Sequence, residues 1–238
     1  MNSKNKWNKK HPYTTPSPKT LITFTEPKSF ITEQFKTIRT NIHFSLPGEE
    51  TKKILVTSTA PGEGKSTITA NLGFVFAQEG KSVLIIDGDM RKPTLHSTFH
   101  VDNQYGLSNL LRKRVSYTDA IQETFIYGLY VLPSGPIPHN PSELLSSKAM
   151  DQFLSNIEKH FDIILFDAPP VLTVTDAQIL ANKCDGTVYV INSGTTNRKE
   201  AMKAKSLLLT SQASILGVII NNFHEPKNNY YEDLYRHE

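Results

Sequence analysis

A single cysteine, Cys184, occurs in the 238 residues, so the chain has no internal disulfide framework and suits a reducing compartment such as the cytosol. It stands among Leu180, Ala181 and Asp185, the setting of a small, partly buried hydrophobe. No run approaches the roughly 18 apolar residues of a membrane span. No apolar stretch follows the basic start, so a signal peptide is not expected. The net charge of +3 is too small to imply nucleic-acid binding, and no basic-aromatic patch or reading-helix signature occurs. The His-Arg-Asp and Asp-Phe-Gly motifs of eukaryotic-type kinases are also missing, as is any internal repeat. What is left is a chain long enough for one α/β domain with a substantial core.

Acidic residues are absent from Met1 to Thr20, which instead carries Lys4, Lys6, Lys9, Lys10 and Lys19 among Pro, Ser, Thr and Asn. That composition cannot bury a core, and residues 1–20 are expected to be a flexible, solvated tail. A weak attraction to an anionic membrane surface is the alternative.

Beyond the tail, residues 21–224 read as one domain. Ile31, Phe35, Ile38 and Ile42 recur at helical spacing and predict a helix over Ser29–Phe44 with one apolar stripe. Glu33, Lys36 and Arg39 occupy a different, charged face. Strands and helices then alternate. Strands are expected at Lys53–Thr57, Ser82–Ile86, Leu129–Leu132, Phe161–Phe166, Thr187–Ile191 and Ile215–Ile220. Helices are expected at Ser66–Gln78, Leu107–Leu111, Pro141–Leu145, Lys148–Lys159, Asp176–Ala181 and Arg198–Ser211. Near-continuous Val/Ile/Leu runs belong to parallel strands covered on both faces. The fold class is therefore α/β: a doubly wound, mainly parallel sheet with active groups at the strand carboxyl ends. Asn140-Pro-Ser-Glu143 carries a helix-start signature, and Thr175-Asp176 reads as another helix start.

The chemistry begins at Thr59-Ala-Pro-Gly-Glu-Gly-Lys-Ser-Thr67. An apolar strand precedes it and an amphipathic helix follows, the context that a phosphate-cradling P-loop requires. Thr59 replaces the first glycine of the usual Gly-x-x-x-x-Gly-Lys-Ser/Thr pattern. Candidate nucleotide contacts are Pro61, Gly62, Glu63, Gly64, Lys65, Ser66 and Thr67, with Lys65 reaching the β- and γ-phosphates and Ser66 placed to ligate Mg²⁺. Asp87 and Asp89 end the second strand with Gly88 between them, and Asp167 ends the fourth in Walker B form. Oxygen donors from those strand ends, with Ser66, suit Mg²⁺.

Taken together, Ile-Ile-Asp87-Gly-Asp89-Met-Arg91-Lys-Pro, Pro-Gly-Glu-Gly-Lys65-Ser66 and Phe-Asp167-Ala-Pro-Pro resemble the bacterial tyrosine kinases (BY-kinases) of capsule and exopolysaccharide synthesis. The similarity runs from about Glu33 to Asn221 and on into the tail. Partition and septum-site ATPases share the P-loop ancestry but normally carry lysine where this chain has Ala60. The resemblance implies an ATP- and Mg²⁺-dependent protein-tyrosine kinase in which Lys65 and Ser66 serve phosphate and metal. Asp89 and Asp167 help hold the metal, and Asp87 acts as general base. Asn221 would contact the adenine, although spacing alone equally fits a buried strand ending in a turn. Residues 225–238 form a tail whose Tyr230, Tyr231 and Tyr235 would be phosphorylated by a neighbouring subunit. Glu33, Lys36 and Arg39 resemble the family's Glu-x-x-Arg-x-x-Arg interface motif, with lysine for the first arginine, and imply a ring-like homo-oligomer. The family further implies a separate membrane-protein modulator, so the kinase would sit in the cytoplasm, peripheral at the membrane's inner face. A partition-type ATPase switch, or a non-catalytic ATP-binding component of polysaccharide export, is the alternative function.

Overall fold

A computed structural model describes residues 21–48 and 51–223. Seven strands form one sheet in the order β3-β4-β2-β5-β1-β6-β7. They are β1 (Lys52–Ser58), β2 (Val83–Asp87), β3 (Gln122–Glu123), β4 (Leu129–Leu132), β5 (Ile163–Asp167), β6 (Gly186–Asn192) and β7 (Ile215–Asn221). Every pairing is parallel except that of β3 with β4 at one edge. The central strands β2 and β5 are buried along their whole length, as a doubly covered parallel sheet requires.

Alternation along each strand feeds two cores. Leu55, Leu84, Ile86, Ile164 and Phe166 face one layer. There they meet α5 (Leu107–Leu111), α6 (Tyr117–Ala120), α7 (Pro141–Leu145), α8 (Lys148–Ile157), α9 (Asp176–Lys183) and α10 (Arg198–Thr210). Ile54, Val56, Val83, Ile85 and Leu165 face the other layer, which holds α1 (Ile22–Thr25), α2 (Phe30–Ser45), α3 (Lys65–Gln78) and α4 (Leu95–Phe99). The expected doubly wound fold is present.

Ser29 caps α2 by accepting from Thr32 N at 3.2 Å. Phe35 and Ile42 are buried and Ile38 packs beside them, but Ile31 in the first turn remains 48 % exposed. The expected stripe is thus one residue shorter. Asn140 occupies the N-cap of α7 with Pro141 following, yet its side chain caps nothing. Its Nδ2 donates instead to Glu143 Oε1 at 2.9 Å. Thr175 likewise precedes α9 without a side-chain cap. Residues 1–20 and 225–238, including Tyr230, Tyr231 and Tyr235, lie outside the described residues.

Candidate active site

The P-loop turns from β1 into α3 on two left-handed glycines, Gly62 at φ +82° and Gly64 at φ +92°. The left-handed φ at Gly64 favours glycine, and a Cβ there would also stand 2.1 Å from Asn221 Nδ2 and displace that side chain. Glu63 turns its side chain inward and is 3 % exposed. Its Oε2 accepts from Thr59 N at 2.6 Å and Ala60 N at 3.0 Å, and its Oε1 accepts from the Thr196 hydroxyl. Thr196 Oγ1 also accepts from Asn192 N at 2.7 Å, which ties the clasp to the end of β6. The Thr59 hydroxyl meets Tyr189 Oη at 2.5 Å, and Asn221 Nδ2 donates to the Glu63 carbonyl at 2.9 Å. Side chains from β6, β7 and the β6–α10 turn therefore hold the loop in shape.

Parallel register brings the acids together. Asp87 on β2 lies directly opposite Asp167 on β5, and β5 is the immediate neighbour of β1, which feeds the P-loop. Lys65 Nζ reaches back over them, 3.0 Å from Asp89 Oδ2 and 3.5 Å from Asp167 Oδ1. Ser66 Oγ donates to Asp167 Oδ2 at 2.5 Å. Asp87 Oδ2 accepts from Thr94 N and Leu95 N, both at 3.1 Å, where α4 begins. The remaining oxygens, Asp87 Oδ1 and Asp167 Oδ1, are buried without a hydrogen-bond partner.

Three carboxyls and one ammonium in a buried site cannot all hold their ordinary charge. Burial, with the neighbouring Asp167 adding to it, pushes Asp87 up to about 8. Burial also raises Asp167, although Lys65 and the Ser66 hydroxyl pull it back. For Lys65, burial disfavours the charge, but Asp167 and Asp89 outweigh it and hold the ammonium above its ordinary range.

No three His, Cys, Asp or Glu side chains among the described residues form a ready-made metal cage. The donors do fit Mg²⁺: a hydroxyl beside a carboxylate, with two further buried carboxylate oxygens left over, all hard ligands. Phosphate oxygens and water normally complete the shell of this metal. Ser66, Asp89 and Asp167 are thus brought together as expected, with Asp87 and Lys65 beside them. Asn221 lies against the P-loop backbone.

The interface candidates lie elsewhere, on α2. Glu33 pairs with Lys36 at 2.7 Å, while Arg39 Nη1 donates to the Val75 carbonyl at 2.7 Å and its Nε lies 3.8 Å from Glu79. Arg39 is therefore docked on α3 rather than standing free on a solvated face.

Two features escape the sequence. Arg91, two residues after Asp89, makes a two-pronged pair with the fully buried Asp176, Nε–Oδ2 at 3.0 Å and Nη2–Oδ1 at 3.1 Å. It fastens the loop after β2 to the start of α9. Nothing in the spacing links these positions, although Thr175-Asp176 is already visible as a helix start. The second feature is the inward Glu63 side chain, because a P-loop pattern speaks only of backbone there.

The AAA domain family matches residues 51–214. Tyrosine-protein kinase YwqD of Bacillus subtilis (strain 168) is 49 % identical over 211 residues, covering 89 % of each chain. The crystal structure of the chimerical protein CapA2B2 superposes with a TM-score of 0.83 at 45 % identity, covering 87 % of this chain and 92 % of that one. The septum site-determining protein MinD from Pyrococcus horikoshii OT3, complexed with Mg-ADP, shares the fold more distantly. Its TM-score is 0.63 at 26 % identity, with 74 % and 72 % covered. The P-loop, the converging strand-end acids and these similarities agree: the chain belongs to the bacterial tyrosine-protein kinases built on the AAA-type P-loop domain.

Proposed function

We propose that this tyrosine kinase transfers the γ-phosphoryl group of ATP, with Mg²⁺, to Tyr230, Tyr231 and Tyr235 in the C-terminal tail of a neighbouring copy. The observation that carries the reading is the convergence of Lys65, Ser66, Asp87, Asp89 and Asp167 at the carboxyl ends of adjacent strands. Ser66, Asp89 and Asp167 would hold Mg²⁺, directly or through water. When bound, it neutralises charge on the terminal phosphates. The P-loop N–H groups and the start of α3 cradle phosphate oxygens, and Lys65 exchanges its carboxylate partners for them. Asn221, beside the loop, contacts the adenine.

Asp87 takes the proton of the incoming phenol. Burial pushes Asp87 up to about 8 before ligands bind, so it serves as base only as the anion, the form that a neighbouring Mg²⁺ would favour. Charge stabilisation and positioning supply the larger share of the rate.

Wider features of the reading come from the family resemblance. Glu33, Lys36 and Arg39 contribute to a ring-like homo-oligomer that disperses as its tails gain charge. A membrane-protein modulator completes the site and holds the kinase at the inner face of the membrane. Among the described residues no helix is long and apolar enough to cross a membrane. The process served is capsule or exopolysaccharide production, with other protein tyrosines as further substrates.

The test is incubation with γ-labelled ATP and Mg²⁺, with and without a candidate modulator peptide, followed by mapping of labelled residues. Label on the three tail tyrosines, lost in the triple phenylalanine variant, is expected. Phosphate release without phosphotyrosine would instead indicate a switch ATPase. Binding with neither activity would indicate an assembly component.

A further inference from the structure

A second concave site lies away from the P-loop. The turn after α5, together with α6 and α8, borders a shallow, open groove of about 500 Å³, and none of these elements supplies a residue to the nucleotide site. Its floor is apolar, formed by Leu110, Val115, Ala149 and Phe153. Its rim is basic, formed by Lys113 and Arg114, with Arg112 adjoining, and all three side chains are exposed. None of the three takes part in an ion pair among the described residues. Asp119, the one acid in the lining, accepts from the Ser116 hydroxyl at 2.6 Å.

The backbone shows that the cation at the mouth is held at a cost. Lys113 N donates to Leu110 O at 2.8 Å and Arg114 N to Asn109 O at 2.9 Å, the paired bonds that close a helix with a left-handed residue. Glycine normally fills that position, yet Lys113 occupies it at φ +58°. A strained lysine between two arginines, over an apolar floor, suits a ligand that is both anionic and aromatic.

We propose that this groove docks the tyrosine-phosphorylated C-terminal segment of the chain itself, residues 228–238. Tyr230-Tyr231-Glu232-Asp233-Leu234-Tyr235 offers aromatic and aliphatic groups for the floor and two acids for the rim. Each added phosphate brings about −1.5 to −2 charges and three acceptor oxygens, which arginine recognises with its planar fork. The tail is longer than the lateral distance across the sheet. Tyr235 lies 12 residues beyond Phe223, a reach of about 40 Å at ~3.3 Å per residue. The five strand steps from β7 to β4 span about 24 Å at ~4.8 Å each. This inference rests on the proposed phosphorylation of the tail, but a synthetic phosphopeptide tests docking separately from that reaction.

The probe is a fluorescent peptide of residues 228–238, phosphorylated at all three tyrosines or at none. It is titrated by anisotropy against the full chain carrying Tyr230→Phe, Tyr231→Phe and Tyr235→Phe. The phosphopeptide is expected to bind at least 10-fold more tightly than the plain one. Adding Lys113→Gln with Arg114→Gln should remove that advantage while ATP binding is unchanged. Lys113→Gly separates binding from folding, since it relieves the left-handed strain: the midpoint of thermal unfolding should rise while phosphopeptide affinity falls. Equal binding of the two peptides, undiminished binding to the double variant, or equal binding of a scrambled phosphopeptide of the same composition would each overturn the proposal.

Discussion

Asp87 has a consequence that reaches beyond catalysis. A carboxyl whose folded pKa of about 8 exceeds its unfolded value of about 4 keeps its proton in the native chain between those limits. The folded state then binds more protons than the unfolded state, so stability falls as pH rises from 4 to 8. Asp87→Asn removes this liability. Its unfolding midpoint is expected to change less across that window and to exceed the wild-type value at pH 8, by roughly 2–4 °C per kcal/mol. The same variant should retain ATP binding while phosphoryl transfer drops about 10²–10⁴-fold. A wild-type rate would remove Asp87 from the base role. Glu63 is a residue of another kind, structural but set inside the nucleotide loop. Glu63→Ala leaves the buried Thr59 N–H and the half-buried Ala60 N–H without their acceptor, at about 1–3 kcal/mol for a buried unpaired group and less for the other. A lower melting midpoint and weaker ATP binding are expected together, read by calorimetry and nucleotide titration.

Elements were legible where periodicity had room to speak. The long parallel strands and α2, α3, α8 and α10 stand where the sequence places them, within one or two residues at each end. Four pieces were not legible: α1, α4, α6 and the two-residue β3. These four span less than two helical turns or one strand alternation, whereas α5 and α7, equally short, stand where the sequence places them, α7 with the help of its Asn-Pro-Ser-Glu start signature. At the site, the residues came from motifs, while their partners came from folding. Lys65, Ser66, Asp87, Asp89 and Asp167 were visible, whereas Thr196, Tyr189 and Asp176 lie far along the chain from the groups they hold. Helix α2 gives a test that divides Lys36 from Arg39. Lys36→Ala removes only a partly exposed pair with Glu33, so its melting midpoint should stay within about 0.5 kcal/mol of wild type. Arg39→Ala loses the bond to the Val75 carbonyl and should cost about 1 kcal/mol. If Lys36 serves an intersubunit contact, light scattering should show a smaller assembly at unchanged stability.

At the scale of the whole molecule, two helical layers hold a parallel sheet so that every reacting group projects from one end. Ligand binding at that end should stabilise the entire fold. With Mg²⁺ and ATP at about 100 times the dissociation constant, mass action adds ~2.7 kcal/mol, and the melting midpoint should rise by several degrees. Chelation of the metal should erase most of that gain, and a gain that persists in chelator would count against the assigned ligands. The reason lies in where Lys65 rests. Its ammonium is the counter-charge of Asp89 and Asp167, and a triphosphate that draws it away strands two buried anions beside a third acid. Mg²⁺ held by Ser66, Asp89 and Asp167 would supply the counter-charge that the lysine no longer gives. Nucleotide and metal are therefore thermodynamically coupled guests: nucleotide alone strips the acids of their counter-charge, and metal alone must contend with the ammonium already seated on them.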